Sequence, residues 1–416
     1  IVEDLLIEQL NFNGLVVTDA LEMKGVSEFT KKNVDLMAFL AGNDILLMSS
    51  DISKGVKSIK KSYKKGRITE ERLSRSVKKI LRAKYKVGLN SYTPTDAGNL
   101  IKNLNTESTK NLIQNSIESI PALVKNDDNL LPLKLDTERI LNIQFGNDDG
   151  FVFNDYLNKY KTIKSVHNSK INNNELNNML NRYNTLIVSF HMKSNTPWEN
   201  MNKSFSNKEL EMIEIIENHK NKILVSLTTP YMLSQIDLKS YKSIIVGFQN
   251  NSAFQKVTAQ QIFGAKDIKG VLPVTISESL KYNDGIMLEK INILSYANPE
   301  SVGVDVKNLS KIDSIINYAI KNKMTPGAQI LIAKNSKIIY DKSFGKLRYN
   351  ENSKTNSKTI YDLASLTKIL VTTPIIMNLV DKGVINLETR LNKIIPRYVN
   401  SNKSEITIKE LLSGHA

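Results

Sequence analysis

Five short apolar blocks between Ala122 and Phe248 constrain this chain more than any other feature. They read ALVKN at 122–126, RILNIQFG at 139–146, NTLIVSF at 184–190, NKILVSL at 221–227 and KSIIVGF at 242–248. Each has the length of a strand and is rich in Ile, Leu and Val. Segments of helical character lie between several of them, such as SNKELEMIEIIENH at 206–219. Strands that run apolar without alternation are covered on both faces, which predicts an α/β layered domain. The domain is expected to close on GVLPVTI at 270–276, read as a turn and a strand.

The same alternation opens the chain. Strands are predicted at Leu15–Thr18 and Asp44–Met48, with a helix at about 31–41 between them. A further helix follows in GRITEERLSRSVKKILRAKYKVGL, with Thr69 as its N-cap and Gly88 placed to end it. These are parallel β/α units. A chain of 416 residues is too long for one ordinary core. The expected division is 1–90, 91–285, a linker at 286–304, and 305–416. The linker has mixed composition, and its Pro-Glu-Ser stretch breaks any helix. The last segment should hold the helix KNLSKIDSIINYAIKNK, a hairpin turning at KNSK (334–337), and an apolar helix from Ile369 to Lys382.

Composition removes several function classes. The net charge of +15 rests on 48 Lys and only 9 Arg, spread along the whole chain. Phosphate recognition favours the planar Arg fork, so no nucleic-acid partner is expected. A cationic surface would still be drawn to an anionic polymer such as a bacterial wall. There is no Cys, which removes disulfides, thiolate nucleophiles and Cys-ligated metals. His167, His191, His219 and His415 lack metal-ligand spacing, so neither metal nor cofactor is expected. No apolar run approaches the roughly 18 residues of a membrane span. No signal peptide is visible, and because the first residue is Ile rather than Met the natural N-terminus is expected to lie upstream, so targeting is not read from this sequence.

Two constellations carry chemistry. Asp19 ends the predicted strand in GLVVTDALEMKGV. Catalytic groups of β/α barrels sit at such strand ends, although Asp there is also a common helix or turn cap. On position alone, the capping role leads. The motifs around it shift that balance. FNGLVVTDALEMKGV resembles the nucleophile strand of glycoside hydrolase family 3, and AGNDILLMSSD resembles the next barrel strand. GRITEERLSRSVKKILRAKYKVGL resembles the barrel-closing helix, while SIPALVKNDDNLLPL and FQKVTAQQIFGAKDIKGVLPVTI resemble the start and end of the family's C-terminal sandwich domain. The resemblance spans about residues 1–276. It implies a retaining mechanism with Asp19 as nucleophile. The Asp19-Ala20 pair is similar to the bacterial β-N-acetylhexosaminidase branch. That branch uses a His on an earlier barrel loop as acid/base, which would lie outside this chain.

The second constellation is Ser365-x-x-Lys368 in YDLASLTK. At the start of a helix these positions share a face, so the Lys amine can reach the Ser hydroxyl. The bare motif is common, and a solvated Lys beside an N-terminal Ser is its ordinary meaning. The order of helix, hairpin, YDLASLTK and apolar helix resembles the serine β-lactamase and penicillin-binding superfamily, class C-like branch. INLETRLNKIIPRY and ITIKELLSGHA extend that resemblance to residue 416. It implies Ser365 as acyl-accepting nucleophile and Lys368 as base or proton relay. The family's His sits earlier than in LLSGHA, so His415 has no role in this reading.

The resulting expectation is the end of a TIM barrel, an α/β sandwich and the start of an α+β serine β-lactamase-like domain. The function expected is a glycosidase for β-linked N-acetylglucosamine glycans or peptidoglycan fragments, fused to a serine hydrolase. The 416-residue chain alone is expected to turn over neither substrate. The alternatives are a non-catalytic wall-binding protein, or one whose main activity is that of the serine esterase or β-lactamase part. A wall substrate implies a periplasmic, lipid-anchored or secreted protein.

Overall fold

The structure is a computed structural model that describes residues 1–27, 33–137, 139–193 and 203–416. The chain divides into two compact units, Ile1–Leu104 and Asn105–Ala416. The break falls beyond the expected boundary at 90. Residues between the two points form short, exposed helical turns at Leu89–Ser91 and Ala97–Leu104.

In the first unit, Val17 and Ile45 pair in parallel. The Thr18 amide donates to Ile45 O at 3.1 Å, the Ile45 amide donates to Val16 O at 3.1 Å, and the Leu47 amide donates to Thr18 Oγ1 at 2.9 Å. This is one bridge rather than the two full strands predicted. Among the described residues each segment has a partner on one side only, and Val17, Leu47 and Met48 remain exposed. The first residues of the helix predicted at 31–41 lie outside the described residues, and the observed helix is Val34–Leu40. Helices Ile52–Lys64 and Glu70–Lys86 follow, begun by the side chains of Asp51 and Thr69. Gly88 takes φ +81°, and its amide closes the last turn on Tyr85 O at 2.9 Å.

The second unit is built on a six-stranded sheet. Its strands are β1 (Ala122–Asn126), β2 (Ile140–Gly146), β3 (Lys164–His167), β4 (Thr185–His191), β5 (Lys222–Leu227) and β6 (Ser243–Val246). The spatial order is β1-β6-β5-β4-β2-β3, parallel throughout except for antiparallel β1 at the edge. All five apolar blocks became strands. The edge strand β3 reads KSVH, with one strongly apolar residue, and gave no sequence signal. Leu141, Ile143 and Phe145 pack on one face with Phe190, Met212 and Ile216. Ile140, Ile187 and Val225 pack on the other with Phe153, Val257 and Phe263. Both faces are thus covered, as the unbroken apolar runs require.

GVLPVTI does not form the predicted strand. Gly270 makes a single bridge to Ala122, and Pro273 has no amide to continue a ladder. Residues 286–304, expected as a linker, are pinned along the sandwich. The Ile286 amide donates to Leu123 O at 2.6 Å, the Ile291 amide to Gly264 O at 2.8 Å, and the Tyr296 amide to Gln260 Oε1 at 2.7 Å. Its residues Ser295–Tyr296 form β7, which pairs in parallel with β9 (Lys337–Gly345). Strands β9 and β8 (Gly327–Lys334) make the predicted hairpin. The helix Val306–Lys321 precedes it. The predicted apolar helix is present as a wide helical turn, Lys368–Thr372, running into the helix Thr373–Asp381. Among the described residues no helix is long and apolar enough to cross a membrane.

Candidate active sites

The Val17–Ile45 pairing sets where the first candidate stands. Asp19 lies two residues past the paired position and is exposed. Its Oδ1 accepts from the Ala20 amide at 2.8 Å. No Lys, Arg or His forms an ion pair with it among the described residues.

The polypeptide behind Asp19 is held by a residue not singled out in the sequence. Asp44 is 7% exposed, and its Oδ2 accepts from the Val16 amide at 3.0 Å. Ser76 donates to its other oxygen, Lys79 Nζ lies at 3.3 Å and Arg72 at 3.8 Å. Burial by itself raises the Asp44 pKa. Hydrogen bonds from Ser76, the Val16 amide and Lys79 outweigh it, and the carboxyl titrates below its ordinary value. Arg72 also donates to Phe39 O at 3.0 Å and Asn43 O at 2.9 Å, with its guanidinium 4.4 Å from the Phe39 ring centre. One buried carboxylate thus ties the segment carrying Asp19 to the helix Glu70–Lys86. The available signal was an acid directly before an apolar block, in AGNDILLM.

The second candidate is assembled by a tight turn. Asp362 Oδ1 accepts from the Ala364 amide at 2.8 Å, and Ala364 takes φ +45°. That left-handed backbone is uncommon for a residue with a β-carbon, and it turns the chain into the helix at Ser365. The Lys368 amide donates to Ser365 O at 3.1 Å, and Lys368 Nζ donates to Ser365 Oγ at 3.1 Å. The structure therefore brings Ser365 and Lys368 together as their spacing predicts. Both are exposed. His415 pairs with its neighbour Ser413, at 2.9 Å, and not with this pair. Asp19 belongs to the other compact unit. Among the described residues no cluster of His, Asp or Glu could hold a metal ion. The chemistry at hand is that of an exposed carboxylate two residues past a β-bridge and of a hydroxyl beside an amine.

Residues 1–83 match the glycosyl hydrolase family 3 N terminal domain, and residues 312–415 match the beta-lactamase family. Over 106 residues the chain is 35% identical to "Protein flp" of Staphylococcus aureus (strain NCTC 8325 / PS 47), covering 25% of this chain and 21% of that protein. Over 130 residues it is 29% identical to a "Putative D-alanyl-D-alanine carboxypeptidase" of Escherichia coli (strain K12), covering 30% of each. The chain thus spans less than a third of these curated relatives. Among solved structures, "Beta-glucoside phosphorylase BglX" superposes with a TM-score of 0.54 at 20% identity, over 66% of this chain and 51% of that one. That likeness concerns the fold. A family 3 glycoside hydrolase segment and a β-lactamase-type segment are joined in this one α/β chain.

Proposed function

We propose that Asp19 is the nucleophile of a retaining glycosidase acting on β-linked N-acetylglucosamine in cell-wall glycans, and that Ser365, with Lys368 as its proton acceptor, is the acyl acceptor of a serine hydrolase. The observation that carries this reading is that each family-matched segment holds one of these groups. In the first reaction the Asp19 carboxylate attacks the anomeric carbon and the leaving oxygen takes a proton from a general acid. Water then cleaves the glycosyl ester. In the second, Ser365 Oγ attacks a carbonyl carbon as its proton passes to the Lys368 amine, and the bond to the leaving amine breaks as that amine takes up the proton. The acyl group is later released to water. D-Ala peptides are the acyl substrate class proposed, supported by the name of the carboxypeptidase relative. A wall substrate places the protein outside the cytoplasmic membrane in this reading.

The test uses the protein as its own cells make it. Hydrolysis of an aryl N-acetylglucosaminide, lost in Asp19→Asn, is expected. So is acylation of Ser365 by a β-lactam or fluorophosphonate, read by intact mass and lost in Ser365→Ala. Activity on aryl glucosides alone would overturn the sugar assignment. Failure of a mechanism-based fluoro-sugar and of both acylating agents to label the protein would leave the non-catalytic wall-binding reading.

A further inference from the structure

Lysine is spread along the whole chain, but not evenly. Residues 52–65 read ISKGVKSIKKSYKK, with six Lys in 14 residues against 48 in the 416 of the chain. No acid occurs between Ile52 and Thr69, and Arg67 adds one more positive charge. The helix Ile52–Lys64 of the first unit and its C-cap residue Lys65 carry all six lysines. At about 100° per residue, Lys54, Lys57, Lys60, Lys61, Lys64 and Lys65 fall within an arc of about 140°, and the row runs about 16 Å along the helix axis.

All six are exposed, and none forms an ion pair among the described residues. The surrounding acids lie off this face. Asp51 caps the start of the helix, where it accepts from the Lys54 amide at 2.9 Å. Asp35 is buried against Gly55, on the opposite side of the helix. Glu70 accepts from the hydroxyl of Tyr63, which stands outside the arc, at 2.5 Å. Besides the lysines the arc holds only Ser53, so no apolar or aromatic side chain interrupts it. Like charges three and four residues apart repel and weaken a helix. The face therefore carries an uncompensated positive charge at a cost in local stability.

We propose that this lysine face docks on a membrane surface of anionic phospholipid. Lysine clusters of this size on a helix are attracted to negatively charged headgroups, and with no apolar residue on the face the helix rests on them without entering the hydrocarbon. Shape separates a surface from a linear polyanion. A chain-like polymer follows one row, such as Lys54, Lys57, Lys61 and Lys64, whereas a plane meets the whole arc, Lys60 and Lys65 included. The long flexible stems let ammonium groups across the arc reach one plane. Nucleic acid fits less well, because the arc offers neither an Arg fork nor an aromatic ring on which a base could stack. The proposal concerns docking alone and does not depend on turnover at Asp19 or Ser365.

Co-sedimentation of the full chain with phosphatidylcholine vesicles containing about one-third phosphatidylglycerol tests it. At about 0.1 M salt the chain should bind these vesicles at least about tenfold more tightly than pure phosphatidylcholine, and added salt should weaken the binding. The Lys57→Gln/Lys61→Gln/Lys64→Gln variant should bind on the order of a hundredfold more weakly. The Lys220→Gln/Lys281→Gln/Lys358→Gln variant has the same net charge but alters exposed lysines elsewhere, and should stay within about threefold of the unaltered chain. Equal losses in the two variants would show attraction to net charge alone and overturn the proposal. So would equal binding to the neutral vesicles. Displacement of most of the chain from the vesicles by polyglutamate or duplex DNA at equal total charge would assign the face to a linear polyanion instead. Amine acylation with peptide mass mapping gives a second measure on the unaltered chain, which decides the matter should the helix variant lose its fold by circular dichroism. Vesicles should protect the lysines between 54 and 65 and leave Lys220, Lys281 and Lys358 reactive, and uniform protection would refute the assignment.

Discussion

His191 ends β4 with its side chain fully buried. Its Nδ1 lies 3.2 Å from Asn250 Oδ1, and the ring packs 5.3 Å from Phe153. Gly150 faces it so closely that a β-carbon there would come within 2.7 Å of Nε2. Burial lowers its pKa to about 4, so the ring is neutral in the folded protein. In the unfolded chain it protonates near 6.5. The unfolded state therefore binds the extra proton first, and stability present above about pH 6.5 is lost as pH falls toward about 4. The difference is worth at most about 3 kcal/mol. We expect His191→Gln to be less stable than the unaltered protein at neutral pH, with the gap narrowing as pH drops through this window. Urea unfolding at a series of pH values reads it, and a pH-independent gap would refute the assignment. The Asp44 carboxyl differs in kind. It is charged and paired when folded, so its contribution persists until pH falls through its lowered pKa.

At the scale of single elements, the hairpin turn shows how local chemistry and register meet. Asn335 and Ser336 have φ of 54° and 59°, the pair of positive values that a two-residue type I′ turn needs. Asn tolerates that region well, while Ser pays a steric cost of about 1 kcal/mol that Gly would not. Ser336→Gly should therefore raise the thermal midpoint without altering the pairing of Lys334 with Lys337, read by calorimetry and amide exchange. A drop in midpoint would show that the added chain entropy of Gly outweighs the relief of strain. Helix starts are similarly local: Thr69, Ser206 and Thr407 each accept from an amide three residues on. The sheet register is not local, because it depends on both faces of β2, β4 and β5 finding cover at once.

Across the whole molecule, burial is uneven. The sandwich strands β2, β4, β5 and β6 are almost wholly buried, whereas the helix Thr373–Asp381 and the turn before it bury no residue. Ile369, Leu370, Ile375 and Met377 are 65%, 58%, 54% and 65% exposed. Segments with few buried apolar contacts open at low cost, and protease cleavage follows local opening. Limited proteolysis should leave a fragment of about 105–290 as the longest-lived species, checked by mass spectrometry. Persistence of residues 1–90 with loss of the sandwich would contradict this distribution of stability.

Sequence alone determined what depends on neighbours along the chain. The five apolar blocks became strands, KNSK became the turn, Gly88 ended its helix, and the i, i+3 spacing put Lys368 within reach of Ser365. Motif order carried the two families, since it is preserved in the one-dimensional text. Tertiary structure decided what depends on residues far apart in the chain. The tether of Asp44 to Val16, Ser76 and Lys79 draws on three separate segments. The weakly apolar β3 is a strand because β2 offers it an edge. Residues 286–304 hold to the sandwich because their amides find distant carbonyls and Gln260. Spacing fixes which groups share a helical face, but only close packing of separate elements fixes which groups share a cavity.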